Sequence, residues 1–329
     1  MSPIRRPAFV AAALVALLVV AACDTTSESV APSVAEGPCP TRAAPDPASI
    51  PAWDPAAQQP SVFPQIINPA GTIACGPTRL MFSFLDADNL PVASPGRTVT
   101  VRLFDLAQNP DEPITTADAT FIWAVEDEVG VYVAEVDLPA AGVWGAEFTT
   151  QLNDAAPESI RVQFDAQPES TVTAVGGEAP PSDTPTLTDV DGDVSLISSD
   201  AEPVEAFYET SIADAIAAKE PFVVAFATPK FCATQQCGPT LDRLKPIAAR
   251  HPDVTVINVE PYQLESTETG LQPVTTGDPP QLTPAQATLD WRLPTEPWVF
   301  VVDRNGVVTD SFMLIFSDEE LEAALAAVE

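Results

Sequence analysis

The feature that most constrains the fold of this chain is a continuous apolar run that ends shortly before two cysteines. The run Phe222–Phe226 has the length and composition of a strand buried on both faces. Cys232 and Cys237 follow it, and the residues after them have the pattern of a helix. The N-terminus of a helix offers free N–H groups and a partial positive charge, which both favour a thiolate. This order of strand, cysteine and helix predicts thiol–disulfide chemistry at the pair.

The size and charge of the chain limit its class. A length of 329 residues predicts two domains rather than one, and 46% hydrophobic residues allow a packed core. Asp and Glu number 47 against 14 Lys and Arg, so the net charge is -33. Such a field repels phosphate backbones, and nucleic acid is not an expected partner. Because His251 is the single histidine, a histidine-rich metal centre is excluded, and we predict neither a metal nor a cofactor.

The N-terminus has the pattern of an export signal. Arg5 and Arg6 precede an apolar run over 8–22, which is too short for a good membrane-spanning helix. Small residues followed directly by Cys23 resemble the lipobox of bacterial lipoproteins. The resemblance implies a signal peptide at 1–22, cleavage before Cys23 and lipid attachment through its sulfur. We expect an extracytoplasmic protein anchored to the membrane. An ordinary signal peptide with a chance cysteine is the alternative.

The next two segments differ in composition. Residues 23–66 are rich in Pro, Ser, Thr and Ala, and we expect a disordered tether there. Residues 67–166 alternate apolar and polar positions between Gly, Pro and Asp turn signals, which indicates an all-β sandwich. The stretch 130–144 resembles the "G-x-Y … P-x-x-G-x-W" hairpin of immunoglobulin-like exported domains. That resemblance implies a binding or spacing module.

Two cysteines and two tryptophans belong to this first part. Cys39 and Cys75 are a candidate structural disulfide, since closing a loop of 36 residues stabilises a fold by about 3–4 kcal/mol. A second redox pair is the alternative. Trp123 and Trp144 are interpreted as core residues rather than as a ligand cage.

Residues 167–205 are dominated by Pro, Gly, Ser, Thr and Asp, and we interpret them as a linker. The run 189–193 suggests a calcium loop, but it lacks the remaining EF-hand ligands, so a turn is favoured. Residues 177–180 and 191–192 also resemble the lead-in strands of thioredoxin-like antioxidant proteins. In that case part of this segment belongs to the next domain.

Residues 206–329 alternate strands and helices, the pattern of an α/β domain. Pro297 opens an apolar strand that is followed by Asp303 and Gly306. The order strand, Cys, helix, strand and then this hairpin resembles the thioredoxin superfamily, in which a cis-proline precedes an "F-x-x-D-x-x-G" hairpin. The resemblance implies a thioredoxin-like fold, a cis Pro297 facing the reactive sulfur, and a Glu296 backbone open to an extended substrate. An ordinary trans proline is the alternative.

The cysteine motif departs from that family, because Cys232 and Cys237 are five residues apart where thioredoxins have C-x-x-C. Such a pair rises about 7.5 Å along an α-helix, beyond the reach of a disulfide at about 7 Å between Cα atoms. Cys232 should therefore lie in a loop, or the first turn must unwind. Ala225 also occupies the place where many thioredoxins bury an aspartate that accepts a proton.

The segment 228–238 is also similar to the "T-P-G-C-T-x-x-A-C-G" of the bacterioferritin-comigratory peroxiredoxins. This resemblance implies that Cys232 attacks peroxide, that Cys237 resolves it and that Thr228 orients the substrate. Thr228 stands one residue further from Cys232 than in that family. In another register, the run 237–240 matches the thioredoxin C-G-P-C with its last cysteine lost.

We expect a membrane-anchored thiol–disulfide oxidoreductase in which Cys232 attacks and Cys237 releases the mixed disulfide. Its partners would be thiols or disulfides of exported proteins, a reductant and the membrane. One alternative is peroxide reduction by the same pair, with peroxide as substrate. Others are a non-catalytic binding or scaffold lipoprotein with a relict thioredoxin fold, and copper delivery by two thiols with His251. For the pair itself, the alternative is a structural staple.

Overall fold

The computed structural model describes residues 39–329. The predicted signal peptide, Cys23 and the start of the predicted tether lie outside the described residues. Every helix within the described part of the chain is too short or too polar to cross a bilayer.

Residues 39–66, predicted to belong to a disordered tether, are packed against the strands that follow. Three short 3-10 helices, Pro47–Ser49, Pro51–Trp53 and Pro55–Ala57, each begin with a proline, which presets the backbone angle of the first turn. Trp53 is 1% exposed, and its ring lies 5.0 Å from the ring of Phe104. One buried tryptophan and prolines that stiffen the chain thus hold a segment whose average composition predicts disorder.

Eight strands between residues 63 and 166 form two antiparallel sheets. They are β1 (Phe63–Ile66), β2 (Gly76–Leu85), β3 (Arg97–Asp105), β4 (Thr115–Asp118), β5 (Thr120–Val125), β6 (Val129–Leu138), β7 (Gly142–Leu152) and β8 (Glu158–Ala166). The strand orders are β1-β2-β6-β5 and β4-β3-β7-β8. The β-rich architecture that the alternating pattern predicts for this half is confirmed.

Aromatic side chains fill the space between these two sheets. Phe82 of β2 stacks on Tyr132 of β6 at 5.6 Å and meets Phe148 of β7, from the other sheet, at 4.7 Å. Trp144 is buried and donates its indole N–H to the carbonyl of Ala140. This places Trp144 in the core, whereas Trp123 is half-buried.

The second half is built around a four-stranded mixed sheet of order β10-β9-β15-β16. Strand β10 pairs parallel to β9, while β15 pairs antiparallel to both β9 and β16. Two small hairpins and a short helix lie between β10 and β15. The elements are α1 (Ile212–Ala218), β9 (Phe222–Phe226), α2 (Cys237–Ala248), β10 (Thr255–Val259), β11 (Leu264–Thr267), β12 (Gly270–Pro273), β13 (Thr275–Thr276), β14 (Gln281–Leu282), α3 (Gln286–Asp290), β15 (Trp298–Val302), β16 (Val308–Met313) and α4 (Asp318–Val328).

The predicted central strand β9 is buried on both faces. Phe222, Val224 and Phe226 belong to one apolar cluster together with residues of α1 and α3. Val223 and Ala225 belong to a second cluster, which contains residues of α2 and α4. Helices therefore cover both faces of this sheet, which explains why the strand reads as an unbroken apolar run.

The first of these clusters continues into the strands of the first half. Met81 of β2 and Val133 of β6 pack in it together with Phe300 of β15. An ion pair adds to this contact, because Arg79 of β2 donates to both carboxylate oxygens of Glu320 of α4, at 2.7 and 3.0 Å. The two halves are therefore joined by packed side chains.

The ion pair between Arg79 and Glu320 should contribute to the free energy of unfolding. Replacing Arg79 by methionine should lower the free energy of unfolding by about 1–3 kcal/mol, since the half-buried carboxylate of Glu320 loses its cationic partner and keeps only the backbone donor of Ser317. Urea denaturation of the purified chain measures the loss. Arg250→Met is the matched control, because Arg250 pairs with Glu322 at an exposed site and should cost at most about 1 kcal/mol. Equal losses in the two variants would contradict a special role for the Arg79 pair.

The segment 167–205, predicted as a linker, is packed against the second half. Gly176 and Ala179 donate backbone N–H groups to the carbonyls of Val308 and Gly306, and Val308 donates to the carbonyl of Gly177. These bonds add a short extended piece beside the turn before β16, so this part of the segment packs with the second half. The segment carries three more 3-10 helices, Leu187–Val190, Val194–Leu196 and Glu205–Tyr208.

The acidic run at 189–193 caps these short helices. Asp189 forms a capping box with Thr186, and Asp193 accepts from the backbone N–H of Ser195. Capping of this kind is what aspartates commonly do in turns. Residues 189–193 therefore form turns and helix caps, whereas a calcium loop was the less favoured prediction.

Candidate redox site

The two cysteines that the sequence singles out are joined by a disulfide in a loop. Cys237 is the first residue of α2, whereas Cys232 lies in the non-helical stretch before it. Gln235 in this stretch has a positive φ of 63° and helps turn the chain back. The Cα atoms of Cys232 and Cys237 are 6.0 Å apart, within the usual range for a disulfide. The loop thus provides a separation that an intact helix would not allow.

The two sulfurs differ in access. Cys237 is fully buried, while Cys232 is partly exposed. The backbone N–H of Cys237, at the N-terminus of α2, donates to the sulfur of Cys232 at 3.2 Å. When the pair is reduced, this donor and the helix dipole favour a thiolate at Cys232. Cys232 is therefore the more exposed residue of the pair, and Cys237 is shielded.

The peptide between Glu296 and Pro297 is cis and is held against the loop. The hydroxyl of Thr234 donates to the backbone carbonyl of Glu296 at 2.8 Å, and the N–H of Ala233 donates to its carboxylate at 2.7 Å. A carboxylate oxygen of Glu296 and both sulfurs all lie within 4.8 Å of one another. Glu296 therefore lies at the disulfide, although its carbonyl already accepts a hydrogen bond from Thr234.

The side chain of Glu296 belongs to the site in a way that the sequence analysis missed. Glu296 is 3% exposed, and the hydroxyl of Tyr262 donates to its second carboxylate oxygen at 2.6 Å. Burial, together with this bond and the negative charge of Glu296, raises the pKa of Tyr262 above its usual value. From the sequence, only the backbone of Glu296 was expected to contribute, and no motif marked Tyr262.

Thr228 lies beneath the loop in a buried polar group. It is fully buried, and its hydroxyl lies 3.2 Å from that of Ser199. Glu260 completes the group, and its burial raises the pKa of the carboxyl despite hydrogen bonds from Thr228 and Ser199. Among the described residues, the Thr228 hydroxyl is bonded to neither sulfur. This position differs from the one that the peroxiredoxin resemblance implies.

Cys39 and Cys75 form the second disulfide, with Cα atoms 6.2 Å apart. It ties the start of the described chain to the residue before β2. The backbone N–H of Cys75 also donates to the carbonyl of Gln167, just after β8. The bond thus lies at the edge of the first half of the described chain.

His251 lies beyond the end of α2 and pairs with two carboxylates. Its Nε2 is 2.5 Å from Glu322 of α4, and its Nδ1 is 2.6 Å from Glu329. Both ring nitrogens are therefore occupied, which disfavours the copper alternative. The two hydrogen bonds raise the pKa of His251 above its usual value of about 6.5.

This pair predicts a pH-dependent stability. Because the pKa of His251 is raised in the folded state, protonated His251 stabilises the fold. This stabilisation is complete below about pH 6.5 and is lost as the pH rises through the pKa of His251 in the folded protein. His251→Gln should therefore destabilise the protein more at about pH 5.5 than at about pH 9. Urea denaturation of both proteins at the two pH values measures this difference. An equal loss at both would show that protonated His251 does not contribute.

Comparisons with known proteins give partial likenesses only. No protein-family model and no curated protein matches the chain. Among solved structures, MTB DsbF in mixed oxidised and reduced forms is 22% identical over 34% of this chain and 82% of its own, with a TM-score of 0.26. A DUF4426 family protein from Pseudomonas aeruginosa PAO1 is 10% identical over 33% and 91%, with a TM-score of 0.23. MtrC from Shewanella baltica is 12% identical over 38% and 24%, also with a TM-score of 0.23.

Proposed function

We propose that this protein is a thiol–disulfide oxidoreductase whose reactive pair is Cys232 and Cys237. The observation that carries the proposal is a disulfide with one accessible and one buried sulfur, placed at the start of α2 and against the cis peptide at Glu296–Pro297. A structural staple needs neither this asymmetry nor a helix N-terminus.

The reaction follows from this asymmetry. The reduced Cys232 thiolate attacks one sulfur of a substrate disulfide, so that a mixed disulfide forms and the other substrate sulfur leaves as a thiolate. Cys237 then loses its proton and attacks Cys232, which releases the substrate as a dithiol. Two electrons pass from the pair to the substrate, and an external thiol reductant must restore them. The same steps in reverse oxidise a substrate dithiol.

A thioredoxin-like fold for residues 206–329 is part of the proposal. It is supported by a central strand buried on both faces, by helices on both sides of the sheet and by a proline directly before β15. The sheets of residues 67–166 would then serve as an immunoglobulin-like spacing or binding module. The lead-in segment at 176–180 would extend the second domain beyond its predicted boundary.

The proposed location is extracytoplasmic, with a lipid anchor at Cys23. The basic and apolar N-terminal pattern supports export, and the Cys39–Cys75 disulfide suits an oxidising compartment. Exported proteins with thiols or disulfides would be the substrates. The engagement of the Thr228 hydroxyl with Ser199 favours this exchange over peroxide reduction by the same pair.

Insulin reduction by the purified full-length chain tests the function, with dithiothreitol as reductant. We expect faster precipitation of the insulin B chain than with dithiothreitol alone, and a return to that background rate in Cys232→Ser. A variant lacking both Cys39 and Cys75 serves as the control and should retain the activity if it folds. A wild-type rate equal to the background, or an active Cys232→Ser, would overturn the proposal. Peroxide consumption measured in parallel checks the alternative.

A further inference from the structure

Within the described part of the chain, the carboxyl group of Glu296 is buried and has no cationic partner. Its donors are the N–H of Ala233 and the hydroxyl of Tyr262, and both are neutral. None of the ion pairs in residues 39–329 includes Glu296. Buried charges in proteins are normally paired or coordinate a metal. The location of Glu296 beside two sulfurs therefore requires an explanation.

The three groups have the spacing of a ligand set. A carboxylate oxygen of Glu296 and the sulfurs of Cys232 and Cys237 all lie within 4.8 Å of one another. A tetrahedral Zn²⁺ with bonds of about 2.3 Å to sulfur and about 2.1 Å to oxygen holds such ligands roughly 3.6–3.8 Å apart. Once the disulfide is opened, shifts of about 1 Å or less are enough to reach that geometry.

We propose that the reduced protein binds one divalent cation of the Zn²⁺ class through Cys232, Cys237 and Glu296. Two electrons from a thiol or phosphine reductant and two protons convert the disulfide into two thiols. Metal binding then releases those protons, because thiolates are the ligands. A water molecule would take the fourth position, as is common at zinc sites with three protein ligands. The inference concerns the same cysteines but does not depend on their exchange activity.

The surroundings of Glu296 fit this role. Each carboxylate oxygen accepts one hydrogen bond, so each retains a lone pair, and outer donors of this kind orient metal-ligating carboxylates. Thiolate ligands favour Zn²⁺ over Mg²⁺ and Ca²⁺. The partly exposed Cys232 gives the ion access, while Cys237 and Glu296 are shielded. Because a bound ion occupies both sulfurs, metal binding and disulfide exchange exclude each other.

The sequence-based expectation of no metal did not consider this side chain. A carboxylate at residue 296 is far in sequence from the cysteines, and a Cys-x4-Cys pair alone is a weak metal motif. The inference arises from the fold, which brings Glu296 to the pair.

Cobalt binding by the full-length chain tests the proposal. The protein is reduced with a phosphine, since a dithiol would itself chelate the metal, and is titrated with Co²⁺ and then with Zn²⁺. We expect thiolate-to-cobalt charge-transfer absorption that saturates at one ion per chain and is displaced by Zn²⁺. The oxidised protein should show none. No uptake by the reduced chain, or equal uptake by the oxidised chain, would overturn the proposal.

Variants then identify the ligands. Cys232→Ser and Cys237→Ser should each lose most of the charge-transfer absorption, and Glu296→Gln should weaken Zn²⁺ binding by at least about 10–100-fold. Tyr262→Phe removes an outer donor and should weaken it by about tenfold. Glu260→Gln is the matched control, since Glu260 is another buried carboxylate outside the cluster, and its affinity should be unchanged. Wild-type affinity in Glu296→Gln, or binding that is lost on replacing Cys39 and Cys75, would contradict the assignment.

The result of the Co²⁺ titration can be distinguished from the result of the insulin assay. A chain that binds Co²⁺ through these residues but does not reduce insulin would support the metal site and refute the oxidoreductase. A chain that reduces insulin but takes up no Co²⁺ would support the oxidoreductase and refute the metal site.

Discussion

Cys237→Ser is expected to turn the protein into a trap for its substrates. Because Cys232 is accessible and Cys237 is buried, attack on a substrate disulfide forms the mixed disulfide at Cys232. Without the second sulfur, the intramolecular release step is lost and the adduct persists. We expect the adduct with a model disulfide peptide to accumulate until most of the reduced variant is modified, whereas the wild-type chain retains almost none.

Non-reducing electrophoresis and mass mapping of the peptide that contains residue 232 measure this adduct. Cys232→Ser is the matched control, since it keeps the buried sulfur and removes the accessible one, and it should form no adduct. If Cys232→Ser traps the peptide and Cys237→Ser does not, the assignment of the two roles is reversed. If neither variant traps it, the exchange mechanism fails.

Loss of the other disulfide should have the largest effect on stability. Replacing both Cys39 and Cys75 by serine opens a loop of 36 residues, and the gain in entropy of the unfolded chain corresponds to about 3–4 kcal/mol. The segment that carries Trp53 would then be held mainly by packing. We expect a lower urea midpoint and faster proteolysis of residues 39–60.

Urea denaturation under non-reducing conditions measures this loss. The matched comparison is a double serine variant at Cys232 and Cys237, which opens a loop of five residues and should cost less, about 2 kcal/mol. A larger loss at the short loop than at the long one would show that the Cys39–Cys75 bond is not the main covalent support of the fold.

Local patterns were enough to predict several elements correctly. The apolar run at 222–226 is the central strand β9, and the alternation predicted over residues 67–166 is found in strands such as β3 and β6. A local motif of the same kind, the capping box of Ser317 and Glu320, begins α4. These features are encoded within one strand or one helical turn, where the choice between periods of 2 and 3.6 depends on neighbouring residues.

Composition was less reliable for the segments between these elements. The regions predicted as tether and linker are rich in Pro, Ser and Thr, but Trp53 and Val172 in them are buried against the sheets. An average over forty residues does not reveal that one large side chain has a partner elsewhere. The presence of that partner decides whether the segment packs.

By itself, the sequence determined that this chain has a β-rich first half, a buried central strand in the second and a cysteine pair at the start of a helix. Only the tertiary structure decided that the side chains of Glu296 and Tyr262 lie at that pair and that Arg79 reaches Glu320, 241 residues away. The physical reason is that apolar periodicity and helix caps depend on residues that are close together in the chain. Contacts between distant residues depend on how whole strands and helices pack, which no local pattern specifies.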